Sequence, residues 1–79
     1  MVRKSAVDGE FYPGNAIALD NFITKSIAAA KLEGNYSGAF SYIAPHAGYE
    51  YSGSTAAYTY KALSQKSDNL TAIIIGPNH

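Results

Sequence analysis

"LTAIIIGPNH", Leu70 to His79, carries the strongest structural signal in the chain. Leu70 to Ile75 is apolar except for Thr71, ends in three isoleucines and shows no alternation of apolar and polar positions. Such a run reads as a strand covered on both faces, the pattern found in parallel sheets. Gly76 and Pro77 close it, because proline has no N–H to give to a ladder. What the strand would pair with is decided upstream.

Ala39-Phe40-Ser41-Tyr42-Ile43-Ala44, ended by Pro45, reads as a second short strand. Between the two, the segment from Ser54 to about Gln65 reads as a helix. Ala56, Ala57, Tyr60 and Leu63 form its apolar face, and Ser52 or Ser54 is its candidate cap. Strand, helix and strand make a βαβ unit, which is expected to be parallel and right-handed. Further upstream, Asn15 is a candidate cap for an amphipathic helix over residues 16–33. Leu19, Phe22, Ile23, Ile27 and Ala30 recur there at spacings of three and four, and Gly34-Asn35 supplies a stop. Residues 1–13 have no sustained period and read as an arm that tucks Phe11 and Tyr12 against the core.

The expected fold class is therefore α/β: a partial three-layer sandwich containing a βαβ unit with parallel strands and an N-terminal helix. Two parallel strands leave open edges and apolar faces that need helices on both sides. Residues 1–79 are expected to be the N-terminal part of a single, incomplete domain, folding marginally and prone to self-association.

Composition narrows the function classes. Hydrophobic residues are 47% of the chain and charged ones 15%, too apolar for a disordered tail. Six Lys and Arg balance six Asp and Glu, so no basic footprint argues for nucleic acid or an anionic membrane surface. Cysteine is absent, which excludes a disulfide framework or a thiolate metal site built from these residues. Arg3 and Lys4 precede Ser5-Ala6-Val7-Asp8 rather than an apolar core, so no signal peptide is expected. No run approaches the length of a membrane span. The expected location is cytoplasmic.

Both expected strands end in a proline followed closely by a histidine: Pro45-His46 and Pro77-Asn78-His79. Open α/β sheets place ligands outside the carboxyl ends of their strands, so adjacent parallel strands would bring His46 and His79 to one rim. Imidazole suits zinc, iron and copper through its neutral ring nitrogen, and two such rings make half of a mononuclear site. The alternative for the same rings is service as general acid and base, since histidine titrates close to neutral pH. The plainer readings are a turn histidine bonded to backbone for His46, and a fraying chain end for His79. Glu50 reads either as a partner orienting an imidazole or as a solvated loop carboxylate. Tyr49 and Tyr51 are candidate pocket walls, whereas Tyr58 and Tyr60 read as packing along the helix. Gly48 to Gly53 forms neither a Walker A loop nor a dinucleotide fingerprint.

"GEFYPG", "APHAGYEYSGSTAAYTYKAL" and "IIIGPNH" together resemble the N-terminal part of the Memo family, from near Ala6 to His79. Asp8 stands where that family usually has a small residue. The resemblance implies an α/β fold similar to class III extradiol dioxygenases, the non-haem iron enzymes that open catechol rings. It implies that His46 matches the histidine of the family's Pro-His-Ala-Gly-Tyr motif and His79 the first histidine after its Gly-Pro-x segment. Both would then be metal ligands, for iron or copper, in a complete assembly whose later residues often add a cysteine. No tight metal site is expected from this chain alone.

The expected function is that of a Memo-family protein, metal-binding and redox-related when complete, with the isolated chain inactive. Complete relatives would then be non-haem metal-dependent oxidoreductases. The rival readings are a non-catalytic module that binds a small molecule or peptide, and a non-functional gene fragment. The expected partners are a separately encoded C-terminal remainder or a second copy of the chain, with no nucleic acid and no membrane.

Overall fold

Asn15 begins the regular structure. In the computed structural model, which describes residues 2, 4–66 and 69–77, its backbone is extended and its Oδ1 accepts from the N–H groups of Ile17 and Ala18 at 2.9 and 3.1 Å. Two of the otherwise orphaned donors of the first turn are thereby satisfied. The helix it opens, α1, spans Ala16–Ala29. It stops four residues short of the expected end. Ala30 turns to ψ 128, and its carbonyl accepts from Lys61 Nζ at 2.6 Å instead of continuing the ladder.

The second helix, α2, spans Ser54–Leu63 and packs against α1. It is preceded by a five-residue π-helical turn, Tyr49–Gly53, in place of the expected loop. Neither expected serine caps α2. Gly53 occupies that position with no side-chain bond, while Ser52 Oγ donates back to the Ala47 carbonyl at 3.1 Å.

The core lies where the end of α1 meets α2. Its buried residues are three alanines, Ala30, Ala57 and Ala62, whose small side chains let the two backbones approach. Leu19, Phe22 and Ile27 on α1, and Ala56 and Leu63 on α2, are half-buried around them. Gly53 meets α1 closely: an added Cβ would lie 2.6 Å from Phe22 Cε1. The loop from residue 31 to 48 is fastened by side chains. Gln65 Oε1 accepts from Tyr36 N–H at 2.6 Å while Gln65 Nε2 donates to the Gly34 carbonyl at 3.1 Å. Lys66 Nζ donates to the Ser37 carbonyl at 2.7 Å, and Thr59 Oγ1 to the Ile43 carbonyl at 2.8 Å.

The α/β expectation is overturned. Among the described residues there is no β-strand, no βαβ unit and no sandwich, only one isolated parallel bridge between Asp8 and Tyr12. The dioxygenase-like fold implied by the family resemblance fails with it. Residues 39–44 and 70–77 lack helical structure, yet no backbone hydrogen bond joins them. A strand exists only through its ladder partner, and an isolated pair of strands is marginal in water. Apolar patterning reports that a segment suits burial; it does not supply the neighbour. Phe40, Ile43, Ile73, Ile74 and Ile75 are accordingly 89–97% exposed.

Candidate functional site

The N-terminal arm folds back because Gly9 takes a positive φ of 80, a conformation glycine adopts without steric cost. Its N–H donates to the Tyr12 carbonyl at 2.7 Å, and the N–H groups of Glu10 and Phe11 both donate to the Val7 carbonyl. This turn carries Phe11 and Tyr12 to the π-helical turn, where the Tyr49 N–H donates to the Phe11 carbonyl at 2.6 Å. The Tyr49 ring then lies between two others. Its centroid is 5.6 Å from Tyr12 and 5.5 Å from Phe22, both in tilted contact, the spacing at which aromatic pairs attract.

These contacts leave an open cavity of about 510 Å³ between the arm, α1 and the start of α2. The arm supplies Val7, Phe11 and Tyr12 as one wall, and α1 supplies Phe22, Ile23, Ser26 and Ile27 as another. Pro45, His46 and Ala47 border it where the loop enters the π-helical turn. Tyr49, Ser52 and Tyr60 also line it and, with Tyr12, Ser26 and His46, are the polar side chains of a mostly apolar lining. An apolar cavity with a few polar groups is the usual form of a small-molecule site.

His46 is solvent-exposed at this border and has an interaction partner. His79 lies outside the described residues, so the expected pairing of the two imidazoles is not among the contacts seen. Glu50 does not line the cavity. It is exposed and acts on Tyr51 instead: its hydrogen bond and its charge push the Tyr51 phenol above the ordinary value of 10.0. Of the two flanking tyrosines, Tyr49 walls the cavity while Tyr51 is 80% exposed. Tyr60, read as a packing residue, lines the cavity, and Tyr58 lines a separate shallow hollow beside Ile43.

Ser26, Ser52 and Val7 were missed. Ser26 sits three and four residues beyond Ile23 and Phe22, so helical spacing alone places it on their face. Ser52 is set by the π-helical turn, which shifts the register in a way that no hydropathy pattern records.

No group of three His, Cys, Asp or Glu residues capable of holding a metal ion occurs among the described residues. A mononuclear site takes three or four protein ligands, and the described part of the cavity offers one imidazole. By itself that set does not fit a metal ion.

The family description "Memo-like protein" matches residues 3–79. A "MEMO1 family protein" of Nitrosopumilus maritimus is 47% identical over 83 residues, covering 100% of this chain and 30% of that protein. One from Methanococcus vannielii is 43% identical over 88 residues, again across the whole chain and 31% of its own length. A third, from Pyrococcus furiosus, is 39% identical over 79 residues, 27% of its length. The chain thus spans about 30% of the length of these relatives. No solved structure matches it. With the family pattern running from Arg3 through the cavity-forming arm, His46 and both helices to the last residue, the chain belongs to the Memo family.

Proposed function

We propose that these residues form one wall of a binding pocket for a small, largely apolar molecule, with His46 as a polar contact at its mouth. The observation that carries this reading is the cavity of about 510 Å³, apolar in its walls and bordered by His46. Burial of the ligand's apolar part against Phe11, Phe22 and Ile27 supplies affinity, while the His46 ring and the Tyr49 and Tyr60 hydroxyls supply orientation. The pocket binds without turnover in this chain. The partner that completes it is the polypeptide which longer Memo-family members carry outside the matched stretch, and a cytoplasmic setting accords with the lack of cysteine.

A second reading adds metal. It rests on the position of His46 beside an apolar cavity, where a ligand imidazole is shielded from competing water on one side. In this reading His46 and His79 are two ligands of an iron or copper ion, and residues outside this chain supply the rest. Redox chemistry would belong to that complete site. No step is assigned to it from the residues described.

The test is an NMR titration of the chain with a panel of small aromatic and aliphatic molecules, followed by Fe(II) and Cu(I) under anaerobic conditions. Binding in the cavity shifts the signals of Phe22, Tyr49 and the His46 ring, and His46→Ala weakens it about tenfold, the loss of one net hydrogen bond. Ligands that bind while leaving those three signals unmoved refute the pocket reading. Metal that binds equally well to the His46→Ala and His79→Ala variants refutes the second.

A further inference from the structure

The lining of the cavity restricts the charge and the shape of what can occupy it. Among the described residues that line it, none is Asp, Glu, Lys or Arg, although the chain carries six acidic and six basic residues. The acidic residues next to the lining in sequence, Asp8, Glu10 and Glu50, are exposed and stay outside it. Aromatic side chains are frequent instead: Phe11, Tyr12, Phe22, Tyr49 and Tyr60 all line the space. Three of these form a continuous row. Ring centroids lie 5.6 Å apart from Tyr12 to Tyr49 and 5.5 Å apart from Tyr49 to Phe22, with interplanar angles of 43° and 35°.

We infer that the cavity, read as the binding pocket proposed above, selects an uncharged, planar aromatic molecule over anions and over saturated molecules of the same size. A charged group brought into this lining gives up hydration and meets no counter-charge, and neutral side chains replace water only in part. Because the cavity is open on one side, the ion keeps some of its water, and the loss is on the order of 100-fold in affinity. An aromatic ligand extends the row of rings by edge and face contacts that a saturated ring of similar area cannot make, worth about 2- to 10-fold. A cation is drawn to ring faces that are turned toward it. Here Tyr49 is in contact with Tyr12 and Phe22, so these rings pack on one another in a row and do not converge as a cage. The volume of about 510 Å³ lies within the range of small-molecule sites and admits a fused ring system.

Four probes built on one ring skeleton test it: naphthylmethanol, its saturated decahydro counterpart, naphthoate, and naphthylmethyl-trimethylammonium. Each is titrated into the 79-residue chain, and affinity is read from the NMR signals of Phe22 and Tyr49. Naphthylmethanol should bind tightest. The saturated alcohol should be about 2- to 10-fold weaker, naphthoate about 100-fold weaker, and the ammonium ion about 10-fold weaker, its desolvation being offset in part by the rings. Naphthoate or the saturated alcohol binding as well as naphthylmethanol overturns the inference. The ammonium ion binding tightest overturns it too, and assigns the cavity to organic cations. Tyr12→Leu separates the two selectivities, because it shortens the row of rings without adding charge. It should reduce the preference for aromatic over saturated alcohol and leave the preference for alcohol over naphthoate in place; an undiminished aromatic preference would count against the ring row as its source. Failure of all four probes to move the Phe22 and Tyr49 signals refutes the pocket itself, whereas binding there in another order refutes only the ligand class.

Discussion

Gly53→Ala probes the tightest surroundings of any glycine among the described residues. The added Cβ would lie 2.6 Å from Phe22 Cε1 and 2.9 Å from Cζ, against 3.4–4 Å for ordinary contact. The Phe22 ring must therefore retreat by about 1 Å, in a site where Tyr49 also crowds the added atom, its Cβ 3.4 Å away and its ring 5.5 Å from that of Phe22. Overpacking of this sort costs about 1–3 kcal/mol. Against it, Gly53 has φ −62 and ψ −42, a conformation open to any residue, so alanine gains about 0.5–1 kcal/mol by restricting the unfolded chain. The clash outweighs the gain, and the net loss should be about 1–2 kcal/mol. Urea unfolding followed by far-ultraviolet circular dichroism measures it. The decisive measurement repeats the substitution in a Phe22→Leu background, where the obstructing ring atoms are gone. There Gly53→Ala should stabilise, by up to about 0.5–1 kcal/mol, and the reversal of sign is the coupling between the two positions. A destabilisation of equal size in both backgrounds would refute the steric argument.

Three further substitutions probe separate contacts. Asn15→Ala removes the side-chain acceptor for Ile17 and Ala18 and should lower stability by about 1 kcal/mol, with Asn15→Ser largely restoring it, in the same urea assay. Lys61→Met deletes the 2.6 Å bond to the Ala30 carbonyl at the end of α1 while keeping the aliphatic stem; a loss of about 1–2 kcal/mol is expected, and none if the carbonyl is satisfied by water. Glu50→Gln should bring the Tyr51 titration down toward 10.0, seen as the difference in tyrosinate absorbance between the variant and its Tyr51→Phe counterpart. Because Glu50 raises the folded-state pKa, any stability it contributes through Tyr51 is present below pH 10.0 and is lost as pH rises through the folded value. An unchanged titration would remove Glu50 as the cause.

Local rules placed the helices well. Asn15 caps α1 and the apolar face of α2 meets it, because capping and helical periodicity depend on residues a few positions apart. The end of α1 was misjudged since it is set by Lys61, thirty-one residues away, and no window around Ala30 contains that information. Residues 39–44 and 70–75 were read as strands because β-branched and aromatic runs signal burial. The ladder that would make them strands is non-local, and none forms among the described residues. The site was legible in part for the same reason. His46 was singled out from its proline-turn context, and the structure puts it on the cavity border. The opposite wall comes from Val7, Phe11 and Tyr12, whose approach is set by a turn at Gly9 and one backbone bond to Tyr49. Its pairing with His79 lies outside the described residues.

Gln65 has a chemical lifetime as well as a structural role. Its amide receives a hydrogen from Tyr36 on one side and gives one to the Gly34 carbonyl on the other, a pairing only a group with both polarities can make. Deamidation to glutamate, which alters the shape hardly at all, would leave the first bond and turn the second into two facing oxygens. Slow ageing of the purified chain would therefore loosen the loop at Gly34 while the ties at Tyr36, Ser37 and Ile43 hold, and a mass increase of about one dalton would mark the molecules in which it had happened.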